Sequence, residues 1–317
     1  MPRIMKKLFF ALCAVAALSA CNTTKMDREI FTKKVFLVQN GFQEFEMSFT
    51  ENSIVDTTIS VGVSGTQLIE ESIRVSIKVN PDTLAGYNFE RFRYDESQYF
   101  DLLPESCYLI KTDNILLRAG RPIATIPITF NMVLMDRDKR YVLPLEIAST
   151  SKYELAEPQY RTVLLNIIPS NEFSGPYSLS GKISEVGTED QTDIRMTRTF
   201  RAESKNTVSL YAGSTAENVE DREDFRILLK INPDSTLAVY AMHADKIDLR
   251  YDAPNLDPEN PVNRIRVVES YDTQNSHRKF VTTYYYLNYN YIDYTLPDPV
   301  EMRWEGTASR TRTVLEP

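Results

Sequence analysis

The stretch Leu18-Ser19-Ala20-Cys21 is the first place where residue types and spacing can do chemistry. A cysteine directly behind Leu-Ser-Ala, at the exit of an apolar run, is the acceptor pattern of bacterial lipoprotein processing. The thiol is acylated, the chain is cut just before it, and Cys21 becomes the new N-terminus. The preceding residues fit: Arg3, Lys6 and Lys7 lead into an apolar run from Leu8 to Leu18, the layout of a secretory signal. That run is shorter than the roughly 20 apolar residues a membrane span requires. Several acyl chains on one residue make a stable anchor where a single chain binds only marginally. The expectation is a cleaved signal over residues 1–20, a lipidated polar tether over 21–32, and an exported body that meets the membrane only through its N-terminal lipid.

A second chemical constellation is aromatic. Residues 280–294 hold Phe280, Tyr284, Tyr285, Tyr286, Tyr289, Tyr291 and Tyr294, interleaved with Asn288, Asn290 and Asp293, and the only tryptophan, Trp304, follows. Tyr and Trp offer flat apolar faces with polar rims, which suit the C–H faces and hydroxyls of sugars, and Asn and Asp add directional hydrogen bonds. Tyrosine is also a strong strand former, and alternate tyrosines belong in a β core. The aromatics occupy both parities of the run, and a one-sided sheet cannot easily bury both. Two readings therefore stand, packing on both faces of a sheet and a sugar platform formed by some of these residues. For the platform, the ligand-binding residues expected are Tyr285, Tyr289, Tyr291 and Trp304, with Asn288 and Asn290 as polar contacts. For Trp304 the competing expectation is a core position, since Trp is highly buried on average.

Other chemistry is sparse. The histidines are His243 and His277, far apart in sequence, without the short-spaced His/Cys clusters of zinc sites. There is no Gly-x-Ser-x-Gly elbow, no Gly-rich phosphate loop and no His-Glu-x-x-His. The sequence thus supplies no catalytic residue, no metal site and no cofactor. Its many carboxylates leave a two-carboxylate glycosidase open by composition, without singling out a pair. The acidic loop at 252–260 lacks EF-hand spacing and reads as a solvated Pro-rich loop, with Ca²⁺ as the alternative. After Cys21, the one remaining cysteine is Cys107, so no intrachain disulfide can form. It sits in Pro-Glu-Ser-Cys-Tyr-Leu-Ile and reads as a buried, inert thiol. Without Arg3, Lys6 and Lys7 the formal charge moves from −8 to −11. An acidic body of this kind favours neither nucleic acid nor anionic lipid surfaces.

The elements that must position these residues are strands. Runs rich in Val, Ile, Thr and Tyr recur from residue 33 to 168, among them the strictly alternating Ile73-Arg-Val-Ser-Ile-Lys-Val79. Polar turn clusters separate them, as in an antiparallel sandwich. One helix is expected at 82–92, capped by Asp82, with Leu84, Tyr87 and Phe92 inward. Pro127 and Pro144 lie inside strand-like runs and predict edges or bulges there. The segment 167–176 reads as a boundary. Beyond it, further short strands from 177 to 304, with a tight turn at Asn232-Pro-Asp-Ser235, suggest an up-and-down barrel or a second sandwich. The fold class expected is all-β: an immunoglobulin-like sandwich over 33–169, then an antiparallel β domain over 170–317, with less than about a fifth helix. The likeness of Lys78-Val-Asn-Pro-Asp to Lys230-Ile-Asn-Pro-Asp does not extend to any fixed period and is not a repeat.

Four segments carry a resemblance. These are Val79-Asn-Pro-Asp-Thr-Leu-Ala-Gly-Tyr-Asn88, Tyr99-Phe-Asp-Leu-Leu-Pro-Glu-Ser-Cys-Tyr108, Ile115-Leu-Leu-Arg-Ala-Gly120 and Tyr141-Val-Leu-Pro-Leu-Glu-Ile147. In this order they resemble the two-domain surface lipoproteins of Bacteroidetes encoded in polysaccharide-utilisation loci, whose N-terminal module is an immunoglobulin-like domain of unknown function. Phe173-Ser-Gly-Pro-Tyr-Ser-Leu-Ser-Gly-Lys182 and residues 288–295 resemble the accompanying C-terminal β module. The resemblance implies a non-enzymatic part of a glycan-capture machine at the outer membrane, facing the cell surface. Its implied partners are an oligo- or polysaccharide and a TonB-dependent transporter complex. A structural lipoprotein that binds protein partners is the alternative, and a glycosidase ranks last.

Overall fold

The structure is a computed structural model that describes residues 28–315 apart from 218, 220, 221, 256, 258, 273, 275, 276 and 294–297. Cys21, the signal, most of the tether and Tyr294 lie outside the described residues. The chain is 56% strand and 11% helix, which meets the all-β expectation. The first eleven strands are β1 (Lys34–Leu37), β2 (Gly41–Ser48), β3 (Ile54–Val63), β4 (Ile73–Val79), β5 (Asp101–Leu102), β6 (Tyr108–Ile110), β7 (Asn114–Leu117), β8 (Ile123–Asn131), β9 (Tyr141–Thr150), β10 (Glu154–Leu155) and β11 (Thr162–Ser170). Helix α1 (Pro81–Phe92) follows β4, and the short α2 (Pro158–Arg161) precedes β11.

These strands form two sheets, ordered β10-β1-β3-β8-β6 and β2-β11-β9-β4-β7, with β5 added to β9. Period-two alternation drives their packing. Along β4, Ile73, Val75 and Ile77 are buried while Arg74 and Lys78 face out. Val35, Ile59 and Ile126 of one sheet meet Val75, Leu143 and Leu165 of the other in one core. The sandwich is not purely antiparallel, because β1–β10, β2–β11 and β5–β9 pair in parallel. Strand β2, Gly-Phe-Gln-Glu-Phe-Glu-Met-Ser, carries only a weak strand signature of its own, since it has no β-branched residue and its strand formers are Phe42 and Phe45. Pairing along the whole of β11 makes it a strand.

Several local expectations are corrected here. Asn80, not Asp82, holds the N-cap position of α1, and Asp82 stands in the first turn. Pro81 at the helix start sacrifices no hydrogen bond, because the first N–H groups have no intrahelical partner. Leu84 is buried as expected, whereas Tyr87 and Phe92 are only half-buried. Pro127 and Pro144 sit in the central strands β8 and β9, not at edges. Each lies just past the end of one neighbour: β6 pairs only from residue 128 and β4 only from 145. The missing N–H thus falls where a ladder partner has stopped. Cys107 is buried, and burial pushes its thiol pKa up.

The remaining strands are β12 (Gly175–Glu185), β13 (Gln191–Ser204), β14 (Thr207–Tyr211), β15 (Arg226–Ile231), β16 (Leu237–Ala241), β17 (Leu249–Tyr251), β18 (Arg264–Tyr271), β19 (Arg278–Asp293) and β20 (Val300–Leu315). They make one sheet, ordered β16-β15-β14-β13-β12-β20-β19-β17, with β18 also on β19, that curls into a nearly closed barrel. The turn after β15 forms as expected: Ser235 N–H donates to the Asn232 carbonyl at 2.9 Å, with Ser235 at φ 68°. The barrel is filled by side chains, and its outer wall carries Lys182, Arg266 and Glu305, all exposed. That is the reverse of a membrane barrel, whose apolar band faces outward. Among the described residues, no helix is long and apolar enough to cross a membrane.

The two halves join tightly. Residues 171–174 connect β11 to β12, and the Asn171 amide donates to the carbonyls of Ser204 (2.6 Å) and Thr207 (2.9 Å). Beneath the joint lies a buried ionic cluster. Arg226, 2% exposed, pairs with Asp138 of the sandwich and lies 4.0 Å from Glu203, while Arg137 of the sandwich reaches Glu203 at 3.6 Å. Tyr211 adds its hydroxyl to Asp138 at 3.3 Å. Each buried charge thus has an opposite neighbour, which buried ions require.

Candidate functional site

Strand β19 decides where the aromatic constellation points. Its burial alternates from Val281 to Tyr291, with odd positions inward. Tyr285, Tyr289 and Tyr291 are 0%, 2% and 0% exposed, and Trp304 is 1% exposed. The four residues expected to form a sugar platform are core residues instead. Tyr285 meets Tyr177 and Phe200 edge-on, with centroids at 5.3 and 5.0 Å. Tyr289 accepts a hydrogen bond from the Gly213 N–H at 2.9 Å. The Trp304 indole lies over Gly181 and Gly306, which face each other across β12 and β20. A Cβ on Gly181 would sit 2.8 Å from the Gly306 Cα and 3.0 Å from the indole, so only glycine fits there. Burial raises the pKa of all three tyrosines, consistent with neutral phenols in a dry core.

Asn288 and Asn290 have the opposite parity and stand half-buried on the outer wall. A residue step of one separates them from the tyrosines they were expected to serve. The Asn290 amide donates to Glu301 Oε1 at 2.9 Å, and the Asn288 backbone is held by the Asn263 carboxamide at 2.8 and 2.9 Å.

The tyrosines that share the outer wall with these asparagines are Tyr284 and Tyr286, both half-buried and roughly 7 Å apart along the strand. Register fixes their surroundings. Tyr284 lies opposite Arg266 on β18 and Ser309 on β20, and Tyr286 lies opposite Arg264 and Thr307. One strand further, Ser178 and Ser180 on β12 continue the two rows. The result is two tyrosines beside a low floor of four hydroxyl side chains, with Arg266, Lys182 and Glu305 around them. Aromatic faces and hydroxyl donors on one wall can stack on the apolar face of a sugar ring and hydrogen-bond its rim. The signal for Tyr284 and Tyr286 was present in the alternation, but not its phase.

A cleft of about 510 Å³ opens between the two domains, lined in part by Arg137, Arg140, Arg201 and Phe200. Its four arginines all have protein neighbours: Arg137 pairs with Glu203, Arg201 with Glu217 at 3.3 Å, Arg140 lies over the Phe100 ring at 4.7 Å, and Arg310 over the Tyr177 ring at 6.0 Å. Among the described residues, no cluster of three or more His, Cys, Asp or Glu could hold a metal ion. In the acidic loop, Asp252 pairs with Arg303 at 2.7 Å, and Leu256 and Pro258 lie outside the described residues.

Fold and face together define a two-domain all-β protein with a polar, aromatic outer sheet. Profiles of a two-domain family match it, the N-terminal domain over residues 31–154 and the C-terminal domain over 161–309. The chain belongs to this two-domain family. It is similar in structure to a Bacteroides ovatus protein of unknown function, at 21% identity and TM-score 0.75, covering 89% of this chain and 95% of that one. A multidomain B. ovatus protein that includes a domain of unknown function matches at 20% identity and TM-score 0.73, with the same coverages of 89% and 95%. An auxiliary nutrient binding protein from Bacteroides thetaiotaomicron matches at 17% identity and TM-score 0.66, covering 86% and 91%. At these identities the likeness is one of fold. No curated protein matches the chain by sequence.

Proposed function

We propose that this chain is a non-catalytic glycan-binding lipoprotein of the outer membrane, tethered through Cys21 and facing the cell surface, that holds oligosaccharide for a TonB-dependent transporter. The observation that carries the reading is the outward row of Tyr284 and Tyr286 beside Ser309, Thr307, Ser178 and Ser180. Such a wall suits a sugar better than a protein partner, which would favour a broad apolar patch. Two further points support the reading. The basic start, apolar run and Leu-Ser-Ala-Cys21 are the pattern expected of an exported, lipidated chain, and a protein of the same fold is described as an auxiliary nutrient binding protein.

The test is affinity electrophoresis of the mature chain through gels containing xyloglucan, mixed-linkage β-glucan, galactomannan or polygalacturonate, followed by calorimetry on any hit. Replacing Tyr284 and Tyr286 together by alanine should weaken binding at least tenfold, about 1.4 kcal/mol, with the melting temperature nearly unchanged. Wild-type binding that survives the double substitution would remove this wall as the site.

A further inference from the structure

We infer a second saccharide site, specific for neutral sugars, in the groove between α1 and the start of β2 on the sandwich. The inference rests on the glycan-binding reading above and extends it to a bivalent chain.

The groove encloses about 690 Å³. One wall is the helix, presenting Asp82, Thr83, Gly86, Tyr87 and Glu90, and the facing wall includes Phe42 and Gln159. Leu84 anchors the helix against Val142 and Leu164. Tyr87 and Phe42 lie parallel, with centroids 4.9 Å apart and planes within 6°. Arg91 holds the pair in place, donating to the Tyr87 hydroxyl at 2.8 Å with its guanidinium near both rings. The groove thus joins a fixed aromatic pair to hydroxyl, amide and carboxylate side chains, a combination suited to sugar recognition.

Gly86 points to an occupant. It stands inside a twelve-residue helix, where glycine is the poorest helix former apart from proline. Among the described residues nothing demands it: apart from its chain neighbours and the helix's own backbone, no atom lies within 4 Å of where a Cβ would stand, and its φ is not positive. A side chain there would instead enter the groove. Glycine at this position weakens the helix and keeps the groove open, a local conflict of the kind found at functional sites.

The charges select the ligand class. Glu146, at the groove floor, is neutralised by Arg161 at 3.2 Å and Lys78 at 3.4 Å. Asp82 and Glu90 are exposed and in no ion pair among the described residues. These two carboxylates accept hydrogen bonds from sugar hydroxyls and repel uronates. Because the groove and the Tyr284–Tyr286 wall belong to different domains of one chain, a polymer long enough to reach both would bind with avidity.

The test uses the mature chain in four forms: wild type, Tyr284→Ala/Tyr286→Ala, that double variant with Gly86→Trp, and Gly86→Ala as a folding control. The control should melt at or above wild type, showing that the helix itself accepts a side chain at position 86. Against the neutral polysaccharides above, the double variant should retain weaker binding, and adding Gly86→Trp should abolish it, a loss of at least tenfold, with the melting temperature held. Polygalacturonate should not bind the double variant. Should the double variant bind nothing while wild type binds, the groove is overturned and the glycan-binding reading stands. Residual binding unaffected by Gly86→Trp also overturns the groove. A wild type that binds no polysaccharide overturns both.

Discussion

Two adjacent tyrosines on β19 should behave as opposites. Tyr285 is fully buried and packs edge-on against Tyr177 and Phe200, while Tyr284 stands half-buried on the outer wall. Truncating a large buried aromatic to alanine costs about 3–5 kcal/mol, through lost burial and the cavity left behind. Two aromatic pairs, each contributing roughly 0.5–1.5 kcal/mol beyond area, place Tyr285→Ala near the upper half of that range, about 4 kcal/mol. For a unit of this size each kcal/mol lowers the melting temperature by roughly 2–4 °C, so a fall of about 8–16 °C is expected. Tyr284→Ala loses no core contact and should cost about 1 kcal/mol or less. Urea unfolding followed by Trp304 emission measures both, since Trp304 is the only tryptophan and lies in the same core. Equal m-values would show that the variants unfold from comparably compact states. If Tyr284→Ala destabilises as much as Tyr285→Ala, the phase of β19 is wrong and the outer-wall site goes with it.

Replacing Arg226 by Met should cost about 3–5 kcal/mol at pH 7, because it takes the cation from Asp138 and leaves Glu203 with Arg137 alone. Burial raises the Glu203 pKa above its ordinary 4.5. The folded state therefore binds more protons than the unfolded chain between 4.5 and the raised value, and this group's contribution falls as pH rises through that window. Part of the Arg226→Met deficit should accordingly be recovered on acidifying from pH 7 towards 5, as read by urea midpoints; a deficit that grows on acidification would refute the assignment. Cys21→Ser should abolish incorporation of radiolabelled fatty acid and move the protein out of the membrane fraction, and partitioning like wild type would rule out the lipid anchor.

Much of the framework was legible because local patterns and global packing agree. The alternation of residues 73–79 became β4 with the expected faces, and Asn232-Pro-Asp-Ser235 had the residues its turn requires. The long hairpin of β19 and β20 was under-read. Asn288, Asn290 and Asp293 disfavour strands locally, yet pairing carries β19 from Arg278 to Asp293. Residues 158–161, opened by Pro158, form the turn of helix α2, and the strand after it begins only at Thr162.

By itself the sequence determined the β class, an apolar alternation along most strands, and the presence of aromatics on both parities of residues 280–291. It could not determine which parity faces inward. That phase is set by partners distant in the chain: β20 places Trp304 opposite Tyr289, and the Gly181–Gly306 contact lets β12 and β20 close over the indole. A strand's side chains alternate with a period of two, so one step of register exchanges core for surface along its whole length. Only the tertiary pairing could therefore turn Tyr285, Tyr289 and Tyr291 into the core and leave Tyr284 and Tyr286 on the wall. The same holds for Gly86, an unremarkable helix residue until the fold sets a groove in front of it.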